Sequence, residues 1–361
     1  NNKGKTMKTI MKTLLVSIAS LSMMFSANSG ELTVNGTAKA TYNATSGNVT
    51  SNNGIGVTNE LNFTASGEMD NGYTWSYSME LDSTTTGDTA TTPTNTPPGG
   101  ALNDDTQISL TMNDLGTVKV CVSECGNNKK YKWDQSAYTS MTDTGQSSGI
   151  AYPSDAGAYA SMQYHTPELP FGTTASIAYG NAKKDGQSGN AKGTAAGNSM
   201  NEYSLVTKPI DGLTVQAHYY DVEDYGDGVT TEAQLEEGGS WAATYATGNI
   251  TLGYGKSFKA PERTTAVGAA GATVVEYYEN TGMSIGYAVN DDLSVSFSRE
   301  ESEQNFMTSA TVGNDVEMDS IQIAYSLGGA TLSVARAEYE NASYTLNNDI
   351  TETIIAMSFA F

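Results

Sequence analysis

The sequence has few of the residues from which catalytic and metal-binding sites are built. Among its 361 residues are 2 Cys and 2 His. The histidines, His165 and His218, are far apart in the chain and do not form a catalytic or metal-binding set. The sequence also has no Ser-His-Asp order, glycine-rich phosphate loop or zinc-ligand spacing. We therefore expect a protein that is not an enzyme.

Positive charge is also scarce. The chain carries 18 Lys and Arg against 40 Asp and Glu, which gives a formal net charge of −22. Because binding to phosphates needs a basic face, a nucleic-acid partner is not expected. An acidic surface keeps long loops soluble and attracts cations.

Long apolar runs are missing after the first 29 residues. Before that point, Lys8 and Lys12 precede an apolar stretch from Leu14 to Phe25, and small residues follow. This arrangement is typical of a secretory signal peptide, and the apolar stretch is too short for a spanning helix. We interpret residues 1–29 as a presequence and residues 30–361 as one domain; the alternative is a buried N-terminal helix.

The rest of the chain alternates apolar and polar residues in stretches of about ten. Tyr73, Trp75, Tyr77, Met79 and Leu81 share one face of such a stretch, and the turn Asp70-Asn71-Gly72 before it contains the Asn-Gly pair typical of hairpins. We count sixteen strands, with short connections alternating with long ones. The pattern predicts an all-β, antiparallel, up-and-down barrel that spans a membrane, with tight turns on one side and large external loops on the other.

Alternation alone also fits a soluble protein, because a sandwich has an apolar core face and a polar water face. A secreted β-sandwich adhesin or binding module is therefore the alternative. An outer-membrane enzyme such as a phospholipase is a further possibility, but it would need a nucleophile and a base on the outer wall, and no such pair is evident in the sequence.

Three stretches resemble general bacterial porins of Gram-negative outer membranes, especially alphaproteobacterial members. They are an opening strand at 32–39, a hairpin at 282–299 and a final strand at 352–361 that ends in Phe361. The resemblance implies a homotrimer of sixteen-stranded barrels among outer-membrane lipid and lipopolysaccharide. It also implies that Phe361 belongs to the signal read by the barrel-assembly machinery. The function implied is passive diffusion of small hydrophilic solutes and ions. The net negative charge predicts a weak preference for cations, although charge in the lumen matters more than charge on the loops.

The resemblance further implies that the third external loop, residues 123–157, folds into the lumen as a constriction. In such channels, charges on the loop oppose charges on the wall and create a transverse field. By parity, Lys39, Glu60 and Lys119 face the lumen, whereas Arg336 shares its face with apolar residues and points outward. The alternative is that each charge merely solvates a wide lumen. The candidate loop residues are Tyr131, Lys132, Asp134, Asp143 and Asp155.

Two further features suggest bound or linked groups. Cys121 and Cys125 could form a small disulfide loop in an exported protein, provided that the chain turns after Val122, because residues four apart in a strand are too distant to bond. The acidic stretch at 221–228 has the carboxylate density of a calcium site but lacks the EF-hand spacing, so a solvated loop is the alternative. Its candidate ligands are Asp221, Glu223, Asp224 and Asp227. No other cofactor is expected.

Overall fold

The structure of the chain is a computed structural model. It describes residues 30–48, 53–82, 104–122, 131–139, 148–154, 161–181, 199–222, 234–263, 274–307 and 312–361. The proposed presequence, residues 1–29, lies outside these ranges.

Sixteen antiparallel strands close into one barrel, as the sequence predicts. Each strand pairs with its neighbours in chain order, and β1 also pairs with β16. The strands are β1 Glu31–Gly47, β2 Gly54–Glu68, β3 Thr74–Asp82, β4 Asp104–Thr111, β5 Thr117–Val122, β6 Ser161–His165, β7 Thr174–Asn181, β8 Ser199–Thr207, β9 Leu213–Val222, β10 Glu237–Thr247, β11 Ile250–Ala260, β12 Val275–Ala288, β13 Leu293–Phe306, β14 Val316–Ser326, β15 Ala330–Glu340 and β16 Ile350–Ala360.

Closure of the barrel continues one residue beyond β16. The β1–β16 register begins at the pair Thr37 and Ala360. Next to it, the Gly36 amide donates to the Phe361 carbonyl at 2.7 Å, and the Phe361 amide donates back to the Gly36 carbonyl at 3.0 Å. Phe361 therefore completes the seam between the first and last strands, where no sheet edge is left open.

The distribution of polar and apolar residues is the reverse of that in a soluble protein. Glu202, Glu300 and Glu352 point into the barrel and are fully buried, whereas Ile55 and Leu32 point outward and are 79% and 66% exposed. A soluble sandwich would place its apolar residues between its sheets. The outward apolar face fits a lipid environment, so the soluble β-sandwich is not favoured.

Tyrosines mark both ends of the outward face. Tyr245, Tyr287 and Tyr325 lie next to short turns, and Tyr179 and Tyr219 lie at the opposite ends of their strands. Amphipathic rings at these two levels form the aromatic girdles that border the apolar band of a membrane barrel. Within the described ranges, no helix is long and apolar enough to cross a membrane.

Candidate constriction site in the lumen

The third external loop folds into the lumen, as the sequence predicts for the segments that the structure describes. We call residues Tyr131–Thr139 the outgoing arm and residues Ser148–Ser154 the returning arm. The outgoing arm follows the inner wall from β10 towards β14. Its backbone is held by Ser240, Ser284, Ser296 and Gln322, whose side chains bond to the amides of Tyr131, Gln135, Ala137, Tyr138 and Thr139 at 2.8–3.1 Å.

Glycines in the wall provide the space for this arm. The Trp133 carbonyl lies where a side chain at Gly253 would begin, and the Trp133 ring lies where a side chain at Gly282 would begin. Ser284 donates to the Trp133 carbonyl at 2.8 Å, and only 2% of Trp133 is exposed. The missing Cβ atoms of β11 and β12 therefore form a groove for the loop.

Gln322 on β14 holds the arm near its tip. Its carboxamide oxygen accepts from the amides of Tyr138 and Thr139, both at 3.0 Å, and its nitrogen donates to the Thr139 carbonyl at 2.9 Å. Beyond this anchor the Tyr138 ring reaches Lys39 on β1, whose ammonium lies 5.7 Å from the ring centroid. The loop thus touches the wall on two separate parts of the barrel.

The returning arm is attached nearer the external end of the barrel. Asn280 donates to the Ala151 carbonyl at 3.1 Å, and Ser154 donates to Glu236 at 2.7 Å. The external turn between β15 and β16 contributes as well, because the Ser343 amide donates to the Ser148 carbonyl at 2.7 Å. The two arms therefore lie one above the other along the same half of the wall.

A small apolar cluster fills the space between the loop and this wall. It is made of Trp133, Ala242, Met318, Ala337, Tyr339, Ala342 and Ile350, with Tyr131 packed against it. The loop tyrosines are shielded from water in this region. Burial, followed by the charge of Glu300, raises the pKa of Tyr131 and of Tyr152 well above the ordinary phenol value, and burial raises the pKa of Tyr138.

The open side of the lumen lies along the first strands. Mid-strand inward residues of β8–β16 are mostly buried, whereas on β1 the inward Thr33, Asn35 and Thr37 are exposed. Inward residues of β2–β4 are exposed or half-buried, and among those described are hydroxyls, amides and the carboxylates Glu60, Glu68 and Glu80. The passage is therefore bordered by polar groups on one side and by the seated loop on the other.

The predicted wall residues lie on this open side. Lys39 and Glu60 are on the inward face of the paired strands β1 and β2, where Lys39 is opposite Thr58 and Glu60 is opposite Thr37. Thr37 donates to the Glu60 carboxylate at 3.5 Å. Lys119 is inward on β5, opposite Gln163 of β6. Their influence on permeating ions stays a prediction.

The predicted loop residues have different surroundings. Tyr131 packs into the cluster against the wall, and the Asp134 carboxylate accepts from Ser298 at 2.6 Å and from Ser136 at 2.8 Å. Asp134 thus helps to attach the arm to β13. Lys132 is exposed, and its carbonyl accepts from Gln216 at 3.0 Å. Asp143 and Asp155 lie outside the described residues.

The other predicted groups are described only in part. Cys121 is disulfide-bonded and fully buried on β5; Cys125, the other cysteine of the chain, lies outside the described residues. Asp221 is near the end of β9, and Asn201 donates to it at 3.4 Å. Glu223, Asp224 and Asp227 also lie outside, and no group of three or more metal-binding side chains occurs in the described ranges.

Arg336 points outward, as its parity predicts. It pairs with Glu338 at 2.6 Å on the outer face of β15. Two similar ion pairs lie on the outer face nearby, Arg299 with Asp319 at 2.5 Å and Lys256 with Glu279 at 2.6 Å. Arg336 is therefore not part of the lumen wall.

Sequence reasoning missed the groups that seat the loop. Serines and Gln322 on the inner wall bond the loop backbone, and Gly253 and Gly282 make room for it. The alternation of Gly253 and Gly255 on one face of β11 was a usable signal, because glycine inside a strand marks the close approach of another chain segment.

A closed sixteen-stranded barrel with an apolar outer face and a loop seated inside its polar lumen defines an outer-membrane channel. The sequence matches the family model described as Gram-negative porin over residues 13–347, so the chain belongs to this family and its place is the outer membrane. No curated protein matches it in sequence.

Solved porins share the fold at low sequence identity. The anion-selective porin from Comamonas acidovorans superposes with a TM-score of 0.66 at 13% identity, over 92% of this chain and 100% of that one. OmpF of Salmonella typhi, in complex with daunomycin, gives 0.66 at 16% identity over 92% and 98%. OmpT of Vibrio cholerae gives 0.64 at 9% identity over the same shares. At these identities the likeness concerns the fold.

Proposed function

We propose that this outer-membrane channel is a general diffusion pore for small hydrophilic solutes and ions, with a weak preference for cations. The proposal rests on one observation: the constriction loop occupies one side of the lumen and leaves a polar passage along the other side. The loop is seated against β10–β14, and polar groups of β1–β4 border the remaining passage. Such a passage transmits hydrated solutes by size and charge and requires no binding step.

The proposed cation preference rests on the overall charge of −22, because acidic groups around the mouth of a pore raise the local concentration of cations. The described charges on the open wall are mixed, since Lys39 and Lys119 accompany Glu60 and Glu80. We therefore expect a modest preference.

Planar-bilayer recording of the purified full chain tests both statements. We expect stepwise increases in current and, under a salt gradient, a reversal potential that favours potassium over chloride. A folded preparation that gives no ion-permeable steps would overturn the pore proposal. A reversal potential that favours chloride would overturn only the cation preference.

We also propose that the barrel assembles into a homotrimer through the outer faces of β1 and β2. The outward residues of β1 are small or apolar between Leu32 and Tyr42, including Gly36, Ala38 and Ala40. Small residues let two backbones approach closely in a membrane. By contrast, ion pairs occupy the outer faces of β11–β15.

A charge introduced on β1 tests this interface. We expect Ala40→Glu to yield smaller particles in detergent than the wild type, by light scattering. Ala217→Glu, the same change on the outer face of β9, serves as the matched control and should keep the native particle size. Equal sizes for both variants would contradict the proposed interface.

The remaining partners follow from the location. We propose that the outer face away from the trimer contacts outer-membrane lipid and lipopolysaccharide, and that the barrel-assembly machinery recognises the final strand with Phe361. Diffusion makes and breaks no covalent bond, so we propose neither catalysis nor a cofactor for it. Calcium at 221–227 stays a prediction, which isothermal titration with calcium would test.

A further inference from the structure

One buried carboxylate lies between the two arms of the constriction loop. Glu300 is an inward residue of β13 and is fully buried. From the returning arm, the Tyr152 hydroxyl donates to Glu300 Oε2 at 2.5 Å. From the outgoing arm, the Tyr131 ring lies 6.2 Å from the Tyr152 ring, measured between centroids. Two tyrosines from separate segments therefore meet at one wall residue.

Tyr131 also lies close to the Glu300 carboxylate. Its pKa is raised by burial and then by the charge of Glu300, which requires the two groups to be close neighbours. Among the described residues, neither the Tyr131 hydroxyl nor Glu300 Oε1 has a hydrogen-bond partner, and both atoms are buried. A small shift of either side chain would join the remaining donor to the remaining acceptor, which would remove two buried unpaired groups.

The other described anchors each hold a single arm. Ser240, Ser284 and Ser296 bond the outgoing arm, and Asn280 and Glu236 bond the returning arm. Glu300 instead faces a side chain from each arm, and its hydrogen bond to Tyr152 is shielded from water.

From this geometry we propose that Glu300 is a positioning residue of the pore: it clamps both arms of the constriction loop to β13 through Tyr152 and Tyr131. The clamp keeps the loop against the wall and out of the passage. The proposal rests on the diffusion-pore function proposed above, because it states what holds that pore open.

Single-channel recording of three variants tests the clamp. Glu300→Ala removes the acceptor, Tyr152→Phe removes the donor, and Glu300→Gln keeps the size and one acceptor oxygen. We expect the time spent in brief closures to rise by about tenfold in the first two variants, because each removes one partner of a buried hydrogen bond. Glu300→Gln should restore part of the wild-type behaviour. Glu340→Gln, on the outer face of β15, is the matched control.

Trp133 gives a second readout that does not depend on conduction. In a background in which Trp75 and Trp241 are Phe, its fluorescence reports only on the outgoing arm. We expect acrylamide to quench Trp133 fluorescence more strongly in Glu300→Ala and in Tyr152→Phe than in the parent. A variant with both substitutions should be quenched no more strongly than Glu300→Ala alone, because the two changes break the same contact.

The outcomes separate the two proposals. If the wild type does not conduct but the variants expose Trp133, the pore function fails and the clamp stands. If folded variants keep both the wild-type closures and the wild-type quenching, the clamp is overturned. If Glu300→Ala does not fold, the same two measurements on Tyr152→Phe decide.

Discussion

The ammonium of Lys39 lies 5.7 Å from the centroid of the Tyr138 ring, so a wall residue of β1 meets the outgoing arm of the constriction loop. This distance is within the range of a cation–π interaction. The contact joins the open wall to the seated loop at the edge of the passage. The Lys39 charge therefore contributes both to the field in the passage and to the position of the loop.

Removal of the Lys39 charge should increase the preference for cations. We expect Lys39→Met to raise the permeability ratio of potassium to chloride by about fourfold to fifteenfold, since a unit charge ~5–10 Å from an ion in water contributes ~0.4–0.8 kcal/mol, with opposite signs for the two ions. The reversal potential under a salt gradient measures this ratio. Lys256→Met removes the same charge from the outer face and should leave the ratio unchanged. Equal effects of both variants would rule out a local role for Lys39.

Glu60 should act in the opposite direction. Its exposed carboxylate lies on the open wall, diagonal to Lys39 across the β1–β2 pair. We expect Glu60→Gln to lower the potassium-to-chloride ratio by a factor of similar size, about fourfold to fifteenfold. Glu338→Gln on the outer face is the control. A rise in the ratio would contradict the lumen position of this carboxylate.

The contact between Tyr138 and Lys39 should depend on the aromatic ring of Tyr138 and not on its hydroxyl. A cation–π contact at a partly exposed site contributes about 0.5–1 kcal/mol and needs only an aromatic face. We therefore expect Tyr138→Phe to behave like the wild type and Tyr138→Leu to increase open-channel noise, because the Lys39 ammonium and the outgoing arm lose their contact. Noise spectra of single open channels are the measurement, and indistinguishable spectra for the Phe and Leu variants would refute the role of the ring.

The groove that Gly253 and Gly282 form for the outgoing arm should have no space for an additional methyl group. A Cβ at position 282 would overlap the Trp133 ring. We expect Gly282→Ala to displace the outgoing arm at a cost of about 1–3 kcal/mol, as overpacking of a filled core does. Stronger acrylamide quenching of Trp133 fluorescence would reveal the displacement. Gly329→Ala adds the same methyl group in open space and should have no effect.

The fold could be read from the sequence more completely than the site. Alternation from Tyr73 to Leu81 predicts β3, observed at Thr74–Asp82, because strand periodicity depends only on which face meets lipid. The surroundings of Asp134 could not be predicted in this way. Its contact with Ser298 joins residues that are 164 positions apart, and it depends on how the loop lies across strands that themselves had to be placed first.

The buried tyrosines of the loop should titrate only when the loop is released. Burial and the Glu300 charge raise the pKa of Tyr131 and Tyr152, so both phenols stay protonated in the native state while an unfolded chain loses these protons near pH 10. The contribution of these two groups to the free energy of unfolding is therefore constant below about pH 10. It declines as the pH rises further, by about 1.4 kcal/mol per pH unit for each group.

The ultraviolet absorbance of tyrosinate tests this expectation. In the folded protein, the absorbance change between about pH 9 and pH 11 should be the same for the wild type and for Tyr152→Phe. After denaturation the wild type should show the absorbance of one additional tyrosinate. A smaller absorbance change in the folded variant would mean that Tyr152 ionises in the native state and is not buried beside Glu300.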